Sequence, residues 1–323
     1  MSRIFEYIFM NSLTFLPSVN FVRLQVTFEA IEPIVLPVYK GSAFRGCLGE
    51  TLKSEACSNR GQPCEKCTEQ FGCPFSQLYN SYVPPQHPNQ RKYPKSPHPY
   101  IIDPMPGNKT DFQPGETFGF VLTLIGQAVD HLPLIIRAFY RMGEKGIGQG
   151  RKRFRPIGLQ ALGHDLNYGL IPYFGQPDSL SIQNITVQEL TDQITLDFLN
   201  PLRLKDEGNL VLDPPEFDFF IQRLAQRIGL LAHFHCGAPW PEEELKALPK
   251  MRWIKIGSSN LQEVDWKRYS GTQDTTMNFD GLIGQITWEG DGLNEWMPLL
   301  TLGSFLHAGS TTTFGMGKYS IVY

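Results

Sequence analysis

The chain lacks any apolar run near the roughly 18 residues needed to span a bilayer. It also lacks an excess of one charge, with 29 Lys and Arg against 32 Asp and Glu for a net -3. A field that weak does not attract a polyanion, so any nucleic-acid contact has to come from a local patch. The opening MSRIFEYIFMNSLTF is apolar, but Glu6 interrupts it and no small-residue cleavage site follows. It reads as a mature N-terminus and not as a secretion signal. These absences predict a soluble, cytoplasmic protein with no membrane partner. What is present suffices for ordinary folding: 41% of the 323 residues are hydrophobic, and the length suits two domains.

Cysteine is scarce outside one stretch. Of six cysteines, four fall in CSNRGQPCEKCTEQFGC as Cys57, Cys64, Cys67 and Cys73, the pattern C-x6-C-x2-C-x5-C. In a secreted domain this would suggest disulfides, whereas in a cytosolic chain it suggests a metal. A C-x2-C pair can set two thiolates on one ion, and tetrahedral zinc takes four such ligands, which leaves no open position for catalysis. A structural zinc is therefore expected, with an iron–sulfur cluster or reduced free thiols as the alternatives. Cys47 and Cys236 stand apart and read as ordinary buried thiols.

The apolar periodicity repeats itself along the chain. FVRLQVTFEAI alternates as a half-buried strand, and a helix capped by Ser42 follows with Phe44, Cys47, Leu48 and Leu52 on one face. After the cysteine loop and a Pro-rich segment, YIID and TFGFVLTLIG read as strands. Asp130 then starts a helix, and a last strand lies near 154–163. After a linker near 165–180 the order recurs. A helix begins beyond Asp213, strands fall near 264–270 and 280–289, and a helix spans about 294–307. Each half reads strand, helix, strand, strand, helix, strand. The expected fold class is α+β, with tandem ferredoxin-like (βαββαβ) domains over 1–165 and 175–323 and a cysteine-rich insertion at 57–80.

In both halves a glycine-rich loop precedes the last strand. Glycines let successive backbone N–H groups converge on an anion. In AGSTTTFGMGK, Gly309, Gly315 and Gly317 stand beside Ser310, Thr311, Thr312 and Lys318. In GIGQGRKRFR the loop runs into Arg151, Lys152, Arg153 and Arg155, four positive charges in five residues. That is the basic patch the net charge conceals. Such a cluster brings affinity and salt dependence but no sequence choice.

FLHAGSTTTFGMGKYSI resembles the terminal glycine-rich motif of the repeat-associated (RAMP) superfamily of CRISPR proteins. More narrowly, it is similar to the CRISPR endoribonucleases that process precursor CRISPR RNA. AFRGCLGETLKSEAC with the four-cysteine loop and CPFSQLY resembles the N-terminal half of one branch of that family. GEKGIGQGRKRF and VDWKRYSGTQ match its middle and late blocks. The resemblance implies repeat RNA as substrate, cleavage without metal, and products bearing a 2′,3′-cyclic phosphate and a 5′-hydroxyl. It adds Arg45, Lys267 and Arg268 to the expected RNA contacts, and other CRISPR effector proteins to the expected partners.

Such a cut needs a base for the 2′-OH, an acid for the leaving oxygen and positive charge on the transition state. In the family the catalytic group often sits between the first strand and first helix, where histidine is missing from LPVYKGSAFRG. Lys40 is the candidate there for charge stabilisation or proton donation, and Tyr39 for orienting the ribose. His307, at the end of the fourth helix, is a second candidate acid or else a core histidine. His233 and His235 mirror the first-half position, and at most one of them is expected to reach RNA. His87, His98, His131 and His164 carry no role. A non-catalytic RNA-binding subunit of a CRISPR effector assembly is the competing reading.

Overall fold

The structure, a computed structural model, describes residues 13–163, 168–170, 177–188, 192–265, 267–270 and 275–323. The chain divides into two compact units. The first is Asn20–Leu180 with Phe234–Gly237, and the second is Ser181–His233 and Ala238–Tyr323 with the described residues ahead of Asn20. Much of the expected linker, 165–167 and 171–176, lies outside the described residues.

In the first unit the order is β1 (Asn20–Ala30), α1 (Gly41–Ala56), β2 (Tyr100–Pro104), β3 (Thr117–Ile125), α2 (Leu132–Lys145) and β4 (Phe154–Leu162), then a short β5 (Tyr168–Leu170). The sheet runs β2-β3-β1-β4-β5. β1 is antiparallel to both neighbours, with Phe28 opposite Phe118 on β3 and Pro156 on β4. The first strand therefore lies in the middle of the sheet and the two helices cross over it, as the ferredoxin-like unit requires. β1 buries every second residue, including Val22, Leu24, Val26 and Phe28. Phe28 anchors the core, with ring centroids 5.8 Å from Phe120, 6.0 Å from Phe139 and 5.1 Å from Phe154.

The second unit repeats the plan with β6 (Gln193–Leu202), α3 (Phe217–Cys236), β7 (Lys255–Ser259), β8 (Gln262–Val264), β11 (Gly281–Glu289), α4 (Met297–Leu306) and β12 (Tyr319–Val322). Between β8 and β11, β9 (Lys267–Ser270) and β10 (Thr275–Asn278) pair only with each other. The main sheet runs β7-β11-β6-β12, with β8 also on β11. Its core stacks Phe220 on Trp288 at 5.4 Å, and Trp288 Nε1 donates to the Pro215 carbonyl at 3.1 Å. The chain is thus an α+β protein of tandem ferredoxin-like units.

Several local expectations change. α1 starts at Gly41 behind Lys40, and Ser42 is buried inside the helix instead of capping it. α2 starts behind His131, with a 3-10 turn over Gly126–His131 ahead of it. The strand that pairs at the edge of the second sheet is β7, earlier than the expected 264–270.

Candidate functional site

The turn between β1 and α1 carries two of the expected catalytic groups. Lys40 is the last residue before α1, and its carbonyl accepts the Phe44 N–H at 3.0 Å, the first bond of the helix. Its side chain folds back, so that Nζ donates to the carbonyls of Val38 at 3.1 Å and Gly107 at 3.3 Å. Lys40 is only 6% exposed, and burial lowers the ammonium's pKa from the ordinary lysine value. The partial positive charge at a helix N-terminus acts in the same direction. Tyr39, half-buried, keeps its proton, because burial first and the Asp103 charge second push its phenol well above the usual range. Tyr39 is therefore a hydrogen-bond donor and not a base. Asp103 sits in β2 at 4% exposure, and its charge also acts on Arg23 of β1, partly offsetting the burial that lowers that guanidinium's pKa. Sequence reasoning missed Asp103, although a carboxylate inside the apolar run YIID was the available signal. The turn thus combines a proton-holding phenol with an ammonium whose pKa burial lowers from the ordinary lysine value.

Arg45 lies one turn into α1 and packs its guanidinium over the Tyr79 ring at 5.1 Å, while the Tyr79 hydroxyl donates to the Arg45 carbonyl at 3.1 Å. It is a half-buried stacked cation and not a free surface charge.

The basic run before β4 is exposed but partnered. Arg151 donates to both oxygens of Glu50 at 3.1 Å, Arg153 pairs with Glu32 at 3.1 Å, and Arg155 pairs with Glu29 at 2.8 Å. Lys152 is half-buried and bridges Ile147 through its backbone. The patch is therefore locally compensated. Surface pairs of this kind contribute little and yield readily to a stronger anion.

The second glycine loop differs most from expectation. Thr312, Thr313, Phe314, Gly315, Met316 and Gly317 are all buried, while Gly309, Ser310, Thr311 and Lys318 are half-exposed. The loop is stitched onto residues 200–203. Ser310 N and Oγ donate to the Arg203 carbonyl at 2.9 and 3.1 Å, Asn200 Nδ2 donates to the Gly315 carbonyl at 2.8 Å, and Gly317 N donates to the Pro201 carbonyl at 2.9 Å. At Gly317, with φ +70°, a Cβ would fall 1.8 Å from the Ala308 carbonyl oxygen. Glycine here permits close packing, and the amides of this segment face protein and not an open nest. Thr312, Gly315 and Gly317 are accordingly placed inside the fold, which leaves Gly309, Ser310, Thr311 and Lys318 as its accessible part.

The histidines are likewise committed to the scaffold. His307 is 3% exposed, has φ +59°, and donates from Nδ1 to the Met316 carbonyl at 3.2 Å. His233 Nδ1 donates to the Ala238 carbonyl at 2.8 Å, and its ring meets Trp240 edge-on. His235 Nε2 donates to the Pro97 carbonyl at 2.7 Å. Each ring is hydrogen-bonded to the backbone near a helix end; His307 is buried, while His233 and His235 are half-buried. The backbone of Lys267 and Arg268 forms β9.

The four clustered cysteines are half-buried and form no disulfide. Cys57 ends α1, Cys64 and Cys67 bracket a 3-10 turn, and Cys73 closes the next turn by bonding back to the Glu69 carbonyl. Among the described residues no group of three or more His, Cys, Asp or Glu is arranged to hold a metal ion. The thiols as placed do not make the expected tetrahedral cage.

A family model described as the CRISPR-associated endoribonuclease Cas6 matches residues 196–319. This stretch, under half of the chain, is similar to that family. The matched stretch takes in most of β6, α3, α4 and the buried glycine loop, where the resemblance read from FLHAGSTTTFGMGKYSI lies. A second model, described as an N-terminal domain, matches residues 16–167. An uncharacterized protein of Archaeoglobus fulgidus is 23% identical over 292 residues, which are 88% of this chain and 92% of that protein. The solved Thermus thermophilus Cas6 is 15% identical with a TM-score of 0.55, covering 94% of this chain and 99% of its own. A Cas6 product complex is 16% identical with a TM-score of 0.56, covering 93% and 99%. These likenesses show a shared tandem fold across both units. Among the described residues no helix is long and apolar enough to cross a membrane.

Proposed function

We propose that this chain is an endoribonuclease that cuts the repeat of a precursor CRISPR RNA. The match of residues 196–319 to the model of the CRISPR-associated endoribonuclease Cas6 carries the reading, and the shared fold with a Cas6 product complex supports it. Cleavage proceeds by attack of a ribose 2′-OH, whose proton passes to solvent water, on the adjacent phosphate; the P–O5′ bond breaks, giving a 2′,3′-cyclic phosphate and a 5′-hydroxyl, with no catalytic metal. The Tyr39 phenol, protonated at neutral pH, orients the ribose. Lys40, its ammonium made more acidic by burial, turns toward the RNA, neutralises the developing charge and protonates the leaving 5′-oxygen. Arg151, Arg153 and Arg155 exchange their glutamates for phosphates, and Ser310, Thr311 and Lys318 add contacts. Other CRISPR proteins are proposed partners, supported by the likeness to a partial Cas6-RT-Cas1–Cas2 complex at 14% identity and a TM-score of 0.56. The cysteine spacing supports a structural zinc that would draw the four thiols together.

Incubation with repeat RNA in EDTA tests the proposal. A single cut with a cyclic phosphate end is expected. The burial of His307, with the lack of histidine beside Lys40, favours one competitor, a non-catalytic RNA-binding subunit. Tight binding without any cut would establish that competitor.

A further inference from the structure

The lobe between α1 and β2 differs in charge from the rest of the chain. Residues 57–99 hold five Lys or Arg and two Glu, a net +3 in a chain whose net is -3. The same lobe contains a cleft of about 440 Å³ lined by Glu65, Phe71, Tyr82, Lys92, Tyr93 and Lys95. Its volume lies in the range of small-ligand sites. Phe71 is 36% exposed at its wall. Lys92 Nζ stands 5.5 Å from the Tyr93 ring centroid, and Lys95 Nζ stands 5.0 Å from that of Tyr82. Flat apolar rings alternating with ammonium groups are the chemistry that holds single-stranded nucleic acid, with bases stacking on the rings and phosphates meeting the cations. Glu65 is the one carboxylate lining the cleft; a hydrogen bond from its own backbone N–H first, then one from the Tyr82 side chain, lower its pKa, and the nearby charges of Lys95 and Lys53 add to this.

We infer that this cleft is a base-stacking site for single-stranded RNA, separate from the Tyr39–Lys40 turn. The inference rests on the proposed reading that the chain binds RNA. It adds a place for nucleotides that flank the repeat: one base enters between Phe71 and Tyr93, and its neighbouring phosphates lie against Lys92 and Lys95. A stacked base is worth roughly a tenfold or greater change in affinity.

The test uses the full chain and two RNAs, one trimmed to the repeat and one carrying an unstructured single-stranded extension. The ratio of their affinities is measured for the wild type, for the Phe71→Ala/Tyr93→Ala variant, and for Lys92→Gln/Lys95→Gln. The wild type is expected to prefer the extended RNA. The aromatic variant should lose that preference about tenfold, and the lysine variant should lower the salt slope for the extended RNA by about one to two. Equal affinity of the wild type for both RNAs, or a ratio unchanged in both variants, overturns the inference and leaves the cleft to a protein partner. Cleavage of the trimmed RNA by the wild type is scored in parallel. Its absence counts against the endoribonuclease reading alone, because the extension preference is read by binding.

Discussion

Arg227 of α3 donates from Nε to the His307 carbonyl at 3.0 Å, and from its Nη2 to the Leu306 carbonyl, also at 3.0 Å. The guanidinium thus satisfies two of the carbonyls that α4 leaves open at its C-terminus. Burial lowers its pKa to about 10, yet it stays charged at neutral pH. This pair explains why His307 is a scaffold residue. Its backbone is fixed from one side by Arg227 and its ring from the other by the Met316 carbonyl.

Arg227→Ala should therefore destabilise the second unit by about 3 kcal/mol, from two buried carbonyls left without donors and the space vacated beside them. Chemical denaturation measures it. A loss below about 1 kcal/mol would mean that water replaces the guanidinium.

Gly317→Ala places a methyl group on the Ala308 carbonyl oxygen at a φ of +70°. A marked fall in Tm is expected in the absence of RNA. Gly150→Ala has a similar φ of +75°, but its nearest neighbour is the flexible end of Lys152 at 3.5 Å. That variant should lose only about 1 kcal/mol, the cost of the left-handed backbone alone. Equal effects of the two substitutions would contradict the close packing described for the second loop.

Much of the fold was legible because apolar spacing reports directly on buried faces. β1 alternates over Val22 to Ala30, and α2 places Leu134, Ile135, Ala138, Phe139 and Met142 inward. The edge strand β7 was not legible, because KIGSS is almost wholly exposed and carries no apolar rhythm. The site was harder to read. A glycine is required equally by an open anion nest and by a loop packed against a carbonyl, so GSTTTFGMGK could not distinguish them. Nor could the run at 151–155 reveal its partners, since Glu29, Glu32 and Glu50 lie more than a hundred residues earlier in the chain.

Those glutamates lead to a prediction about binding. The triple variant Arg151→Ala/Arg153→Ala/Arg155→Ala should weaken repeat RNA binding and reduce the slope of log K against log salt by about 2 to 3. Tm should change little, because the lost ion pairs are exposed. An unchanged salt slope would show that these arginines serve only Glu29, Glu32 and Glu50.

The cysteine lobe calls for elemental analysis of the purified chain. One zinc per chain is expected from the spacing of Cys57, Cys64, Cys67 and Cys73. Removing it should lower Tm without abolishing cleavage. A metal-free, stably folded chain would confirm the ungathered thiols seen in the structure.

The most direct measurement is the pH–rate profile of repeat cleavage in EDTA for the wild type and three Lys40 variants. Lys40 as the acid works in its charged form, so the rate should fall as pH rises through a pKa below the ordinary lysine value. Lys40→Arg, whose guanidinium does not titrate in this range, should remove that alkaline limb. Lys40→Ala should cost about 10²- to 10⁴-fold in rate. For stability the sign is opposite: the unfolded chain holds this proton more tightly, so the buried ammonium costs stability at neutral pH and the cost lifts as pH rises. Lys40→Met should thus lose the activity and keep or raise Tm. Full cleavage by Lys40→Ala with an unaltered alkaline limb would contradict the placement of the chemistry at the Tyr39–Lys40 turn.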